Sequence, residues 1–187
     1  QKNKVAETGT YSVNVTDEIG CLGSDAIQIT VNPMPVVNLG NDTSFCKGGT
    51  HTLKAGNNGF NYSWSTGANT QEITVNQSGT YEVRVFDAIG CADTSKIKIV
   101  VKEFPIVKLG NDTTICAGAF VNLDAKNPGL NYAWNTGAST QKNKVTETGT
   151  YSVNVTDEIG CLGSDVIQIT VNPMPVVNLG NDTSFCK

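Results

Sequence analysis

GTYSVNVTDEIGCLGSDVIQITV, residues 149–171, is the stretch that decides the fold. Tyr151, Val153 and Val155 alternate with Ser152, Asn154 and Thr156, and Ile167, Ile169 and Val171 alternate with Gln168 and Thr170. A period of two sends successive side chains to opposite faces, so each run is a strand with one dry and one wet face. Between them Asp157, Glu158, Ile159 and Gly160 carry the Asx-turn and positive-φ residue types that a tight reversal requires. The same pattern stands one repeat earlier as GTYEVRVFDAIGCADTSKIKIVV, residues 79–101, and two repeats earlier over residues 9–31.

Outward from that hairpin the whole chain is periodic. Cys46, Cys116 and Cys186 keep the 70-residue step, as do Cys21, Cys91 and Cys161, and Trp64 with Trp134. Residues 1–47 return as 141–187 with only Ala6/Thr146 and Ala26/Val166 changed, so two alternating versions of the unit make a 140-residue super-repeat. Leu53 with Ala55, Tyr62 with Trp64 and Ile73 with Val75 supply further half-buried strands, matched in the sister unit by Leu123, Ala125, Tyr132 and Trp134. No segment has a 3.6-residue period.

Six or seven short antiparallel strands in about 70 residues predict an all-β chain of small immunoglobulin-like sandwiches. Pro33, Pro35, Pro105, Pro173 and Pro175 mark the joints. The expected division is a truncated module at 1–34 with its C-terminal strands only, complete modules at 35–104 and 105–174, and the first strand of a following module at 175–187. Joints this short predict modules set end to end as a rod, with neighbouring repeats as each module's first partner.

Composition narrows the function. Thirteen basic and seventeen acidic residues in 187, net charge −4, leave no basic footprint for nucleic acid. No run approaches the ~18 apolar residues of a membrane span. His51 is the only histidine and falls on the inward phase of its strand, where Val121 stands in the sister unit, which predicts a packing role. One histidine and no repeated acid pair give no material for a catalytic triad or general acid–base chemistry, so the chain is not expected to be an enzyme.

Two cysteines per unit, without a CxxC pair, read as structural disulfides of an exported protein. Spacing alone leaves the pairing open. Within a unit, Cys46 joins Cys91 and Cys116 joins Cys161, with the partners of Cys21 and Cys186 lying elsewhere; across the joints, Cys21 joins Cys46, Cys91 joins Cys116 and Cys161 joins Cys186. The first arrangement is the preferred expectation.

The segments LGNDTTIC, NYAWNTGAST and TGTYSVNVTDEIGC resemble the PKD-like and immunoglobulin-like repeats of very long cell-surface adhesins of Bacteroidota, among them gliding-motility adhesins exported by the type IX secretion system. Where the PKD pattern has acidic residues after the tryptophan, Trp64 is followed by Ser65, Thr66 and Gly67, which turns the resemblance toward the broader immunoglobulin-like surface repeat. It implies an extracellular stalk or filament at the cell surface; the near-neutral polar strand faces leave lateral self-association into bundles open, and the alternative is a glycan-binding sandwich acting through loop aromatics such as Phe60. Candidate sites follow. Asp42, Asp112, Asp87, Asp157 and Glu158 are oxygen donors that a calcium ion at a joint would use. Thr113, Thr43 and Thr183 follow aspartates in the pattern of Bacteroidota O-glycosylation. The Asn-x-Ser/Thr triplets at Asn14, Asn41, Asn61, Asn76, Asn111, Asn154 and Asn181 read as chance in so Thr- and Asn-rich a chain.

Overall fold

A computed structural model describes residues 3–182 together with Ser184 and Cys186. Those residues form fourteen strands and no helix. Two belong to residues 1–34: β1 (Gly9–Thr16) and β2 (Leu22–Ile29). Six belong to residues 35–104: β3 (Thr43–Cys46), β4 (His51–Lys54), β5 (Asn61–Trp64), β6 (Glu72–Val75), β7 (Gly79–Phe86) and β8 (Ala92–Lys102). Residues 105–174 repeat the six as β9 (Thr113–Cys116), β10 (Val121–Asp124), β11 (Asn131–Trp134), β12 (Lys142–Val145), β13 (Gly149–Thr156) and β14 (Leu162–Asn172).

Each six-strand set builds one four-stranded sheet and one two-stranded sheet: β11-β13-β14-β9 with β10-β12, and β3-β8-β7-β5 with β4-β6. The quoted stretch is the β13–β14 hairpin, in register from Gly149 opposite Ile169 to Thr156 opposite Leu162. One pairing departs from the all-antiparallel expectation. β9 lies parallel to β14, Thr113 opposite Ile169 and Cys116 opposite Asn172, because the opening strand runs in the same direction as the last one.

The chain divides into two compact units, Gln1–Asp42 with His51–Val75 and Gly79–Ile99, and Thr43–Thr50 with Asn76–Ser78 and Val100–Lys187. The first contains a core of Leu53, Trp64, Val83, Val85, Ile97 and Ile99, each no more than 3% exposed. The second contains the equivalent set, Leu123, Trp134, Val153, Val155, Ile167 and Ile169. Each tryptophan keeps its indole N–H satisfied on a loop carbonyl, Trp64 on Thr70 and Trp134 on Thr140, both at 2.8 Å, so burying the ring leaves no orphan donor. Tyr151 donates its hydroxyl to the Glu147 carbonyl four residues upstream at 2.9 Å, the corner that immunoglobulin-like sandwiches place at the start of this strand.

The alternation predicts these faces correctly, and the partial repeats show what covers them. In β1 and β2, Val13, Val15 and Ile27 occupy core phase yet are 57–62% exposed, because residues 1–34 contain no counterpart of β10 or β11, and residues 3–5, which match part of β12, form no strand. Among the described residues of 175–187 no strand is present, and Val177 is 77% exposed where its equivalent Val107 is 9% exposed.

Candidate functional site

Chemistry-bearing side chains converge where residues 43–50 and 100–104 of one repeat join the second compact unit. Cys46 ends β3 and is bonded to Cys161, with 5.5 Å between the Cα atoms and a sequence separation of 115. That Cα distance is ordinary for a disulfide. The bond joins one 70-residue repeat to the next, and both its ends belong to the second unit.

Both halves are held by local structure. On the strand side, the Lys47 amide donates to the Lys102 carbonyl at 2.8 Å and the Gly49 amide to the Cys46 carbonyl at 3.0 Å, pinning Cys46 level with the end of β8. On the turn side, one Asp157 carboxylate oxygen accepts the Ile159 amide at 3.0 Å and the Cys161 amide at 2.8 Å. The Asp157 amide in turn donates to the Cys161 carbonyl, and Gly160 takes the φ of +92° that closes the turn. Cys161 is wholly buried, whereas its equivalents Cys91 and Cys21 are half-buried and exposed.

This pairing replaces the two expected ones. Cys116 is level with Asn172 at the far end of β14, and Cys161 immediately precedes the near end at Leu162. Eleven residues of strand at ~3.3 Å each separate them by about 36 Å, against the ~7 Å limit between bridged Cα atoms. Cys46 and Cys91 flank β8 in the same way, so neither within-unit bond is geometrically available. The across-joint set is not formed either: Cys21, Cys91, Cys116 and Cys186 are free thiols. Loop entropy does not decide the matter. The chain-entropy cost of a 45-residue loop and that of a 115-residue loop differ by only about 1 kcal/mol, so the strand direction chooses.

An open cleft of about 420 Å³ lies in the same unit, lined by Lys102, Glu103, Pro105, Leu130, Asp157 and Glu158 among others. Lys47 pairs with Glu103 at 3.0 Å on its exposed rim. Pro105 packs so closely on β14 that a Cβ on Gly163 would overlap the Pro105 carbonyl. The sister unit seats the same segment with polar side chains: Asp93, at the position of Gly163, accepts the Val37 amide at 2.9 Å, and Ser95 accepts the Leu39 amide at 3.1 Å. In residues 105–174 Asp165 stands at the position of Ser95 and accepts the Leu109 amide at 2.7 Å.

The predicted oxygen donors are spread over backbone duties. Asp42 accepts the Lys98 amide and Asp112 the Gln168 amide, each fixing the approach to the first strand on the last. Asp87 accepts the Ile89 and Cys91 amides. Its partial burial works to raise its pKa, but the Cys91 and Ile89 amides, the Asn32 side chain and the Gly90 amide outweigh that and hold it below its ordinary value. Asp157 and Glu158 do share the cleft, yet among the described residues no group of three or more His, Cys, Asp or Glu gathers as a metal centre requires. Thr43 and Thr113 are half-buried on β3 and β9, the latter donating to the Asn111 carbonyl at 2.9 Å; Thr183 lies outside the described residues. His51 is half-buried on β4 opposite Val75.

No family model matches the chain, and no curated protein matches it. Solved structures do. A titin I-band fragment, I67–I69, superposes with a TM-score of 0.53 over 90% of this chain and 77% of its own, at 16% identity. Others are the DIP-gamma IG1+IG2 structure, at TM-score 0.44 and 12% identity over 74% of this chain and 98% of its own, and the insect immune protein hemolin, at 0.45 and 14% over 87% and 56%. The modules are immunoglobulin-like β-sandwiches. They are reduced ones, with six strands in place of seven, and they depart from the antibody pattern in one respect that matters for the site. Antibody domains tie their two sheets together with a disulfide between the second and sixth strands of the sandwich. Here the corresponding β10 and β13 carry no cysteine and contribute Leu123, Tyr151, Val153 and Val155 to the core, and the cysteines stand at opposite ends of the module. A covalent bond in that place ties repeat to repeat and leaves each sandwich to its own packing.

Proposed function

We propose that this chain is a structural segment of an extracellular, cell-surface adhesion protein, a stalk whose work is reach and resistance to extension. The observation that carries the reading is the Cys46–Cys161 bond: a disulfide between successive repeats adds nothing to a binding pocket but sets how far the chain can be drawn out. An oxidised cross-link also favours a location outside the reducing cytosol. The resemblance to long Bacteroidota adhesins points to the same role, with adhesion residing elsewhere and neighbouring repeats or bundled copies as the immediate partners. The glycan-binding alternative has weaker support: Phe60 is half-buried, and the sister module has Leu130 in its place. The test is binding by the purified chain. On a glycan array and on polystyrene, glass and cell surfaces, no saturable binding is expected. Saturable, competable binding to one glycan class would transfer the adhesive role to the modules and overturn the stalk reading.

A further inference from the structure

Cys46–Cys161 is one instance of a rule that the repeat carries further. In each module one cysteine ends the first strand at the trailing end of the sandwich, and the other closes the turn at its leading end. The bonded pair joins a trailing cysteine to the leading cysteine of the next repeat, at a sequence separation of 115. Among the six cysteines of this chain only Cys46 and Cys161 stand at that separation. The same step from Cys116 or Cys186 runs past position 187, and the same step back from Cys21 or Cys91 runs before position 1. These four are the cysteines the structure leaves free.

The free halves Cys116 and Cys91 are built as the bonded ones are. Cys116 ends β9 level with Asn172, and the Ala117 amide donates to the Asn172 carbonyl at 2.8 Å, the same bond and distance as Lys47 to Lys102. Cys91 is gripped by Asp87 at 2.9 Å, where Cys161 is gripped by Asp157 at 2.8 Å. We infer that Cys116 and Cys186 are trailing halves, and Cys91 and Cys21 leading halves, of the same cross-link, and that the partner of each is the complementary cysteine thiol of a further repeat of this type. Each bond forms as two thiols lose two protons and two electrons to a disulfide oxidant, which is reduced to two thiols.

Cross-links of span 115 at a period of 70 overlap, giving two interleaved covalent ladders. From Cys46 the bond leads to Cys161, the backbone from Leu162 onward leads to Cys186, and the next bond begins there. Within each super-repeat a pulling force is then carried by segment 92–116 on one ladder and by segment 162–186 on the other. The latter segment comprises β14 and the proline joint after it, and β14 is already extended.

The inference stands independently of the stalk reading and is tested by thiol count. Residues 1–187 are extended at the C-terminus by a second copy of residues 48–187, which continues the period because 141–187 repeats 1–47. Both chains are oxidised with glutathione disulfide, denatured, titrated for thiols and mapped without reduction. The 187-residue chain is expected to show its four free thiols and a Cys46–Cys161 peptide. The extended chain, with four more cysteines, is expected to show four free thiols still, with new peptides joining Cys116 to the copy of Cys91 and Cys186 to the copy of Cys161. Cys116→Ser in the extended chain should raise the count to five while Cys46–Cys161 persists, which separates a lost cross-link from a lost fold. Eight free thiols in the extended chain, or peptides joining Cys46 to Cys91 or Cys91 to Cys116, would overturn the rule.

Discussion

Pulling the 187-residue chain by its two ends gives the most direct measurement of what the disulfide does. With Cys46 and Cys161 bonded, residues 47–160 lie inside a closed loop and bear no load. Only residues 1–46 and 161–187 can be drawn out, and at ~3.6 Å per residue their combined contour is about 260 Å. Reduction opens the loop and restores the full 187 residues, about 670 Å. The difference, about 410 Å, is far larger than the length uncertainty of a single-molecule trace. In optical tweezers or force microscopy the oxidised chain should therefore end at about 260 Å, and the same molecule after addition of a reductant should lengthen in one step toward about 670 Å. A Cys46→Ser chain should behave as the reduced one from the start. Its stability should also fall, by an amount that the chain-entropy model places at about 5 kcal/mol for a loop of this size. Equal final lengths with and without reductant would show that the bond is not on the load path, and a lengthening of about 320 Å, from two 45-residue loops, would point to the within-module pairing.

Other perturbations test the packing. Gly163→Ala should destabilise the second unit by about 1–3 kcal/mol, the usual cost of overpacking, because its Cβ would force the Pro105 segment off β14, while Gly23→Ala, with nothing within 4 Å, should not. Val155→Ala, at a wholly buried site, should cost about 2–3 kcal/mol in denaturant unfolding followed by tryptophan fluorescence, whereas the chemically identical Val15→Ala, at 62% exposure, should cost a few tenths. Acid should loosen the first unit. The Val37 and Thr94 amides hold Asp93 below its ordinary value of 3.8, so its stabilising effect is present above that value and is lost as the pH falls through the lowered folded one. The acid limb of a pH titration should thus lie below about pH 4 and flatten in Asp93→Asn.

The sandwich is legible in the sequence because its information is local. Alternation in β7, β8, β13 and β14 names every core valine and isoleucine of the larger sheet, and Trp64 and Trp134 declare the edge strand of that same sheet. The direction of the first strand is less legible. β9 is four residues long, TTIC, and its residues are compatible with either direction; what makes it parallel is the return of the chain to the far edge of β14. The disulfide is hidden for the same reason. Pairing within one module or across one joint gives a shorter loop than the observed bond, and length is all that cysteine spacing reports. The obstacle is the 11-residue β14, which spans the sandwich and keeps the two cysteines of a module at its opposite ends. A signal is present nonetheless, in the period itself. If cysteines occur once per module at each end, every trailing cysteine needs a leading one, and the only leading cysteine a short joint can bring within bonding distance belongs to the next repeat. Strand direction thus converts a 70-residue repeat into a 115-residue cross-link, a bond that joins successive repeats and that no single module contains.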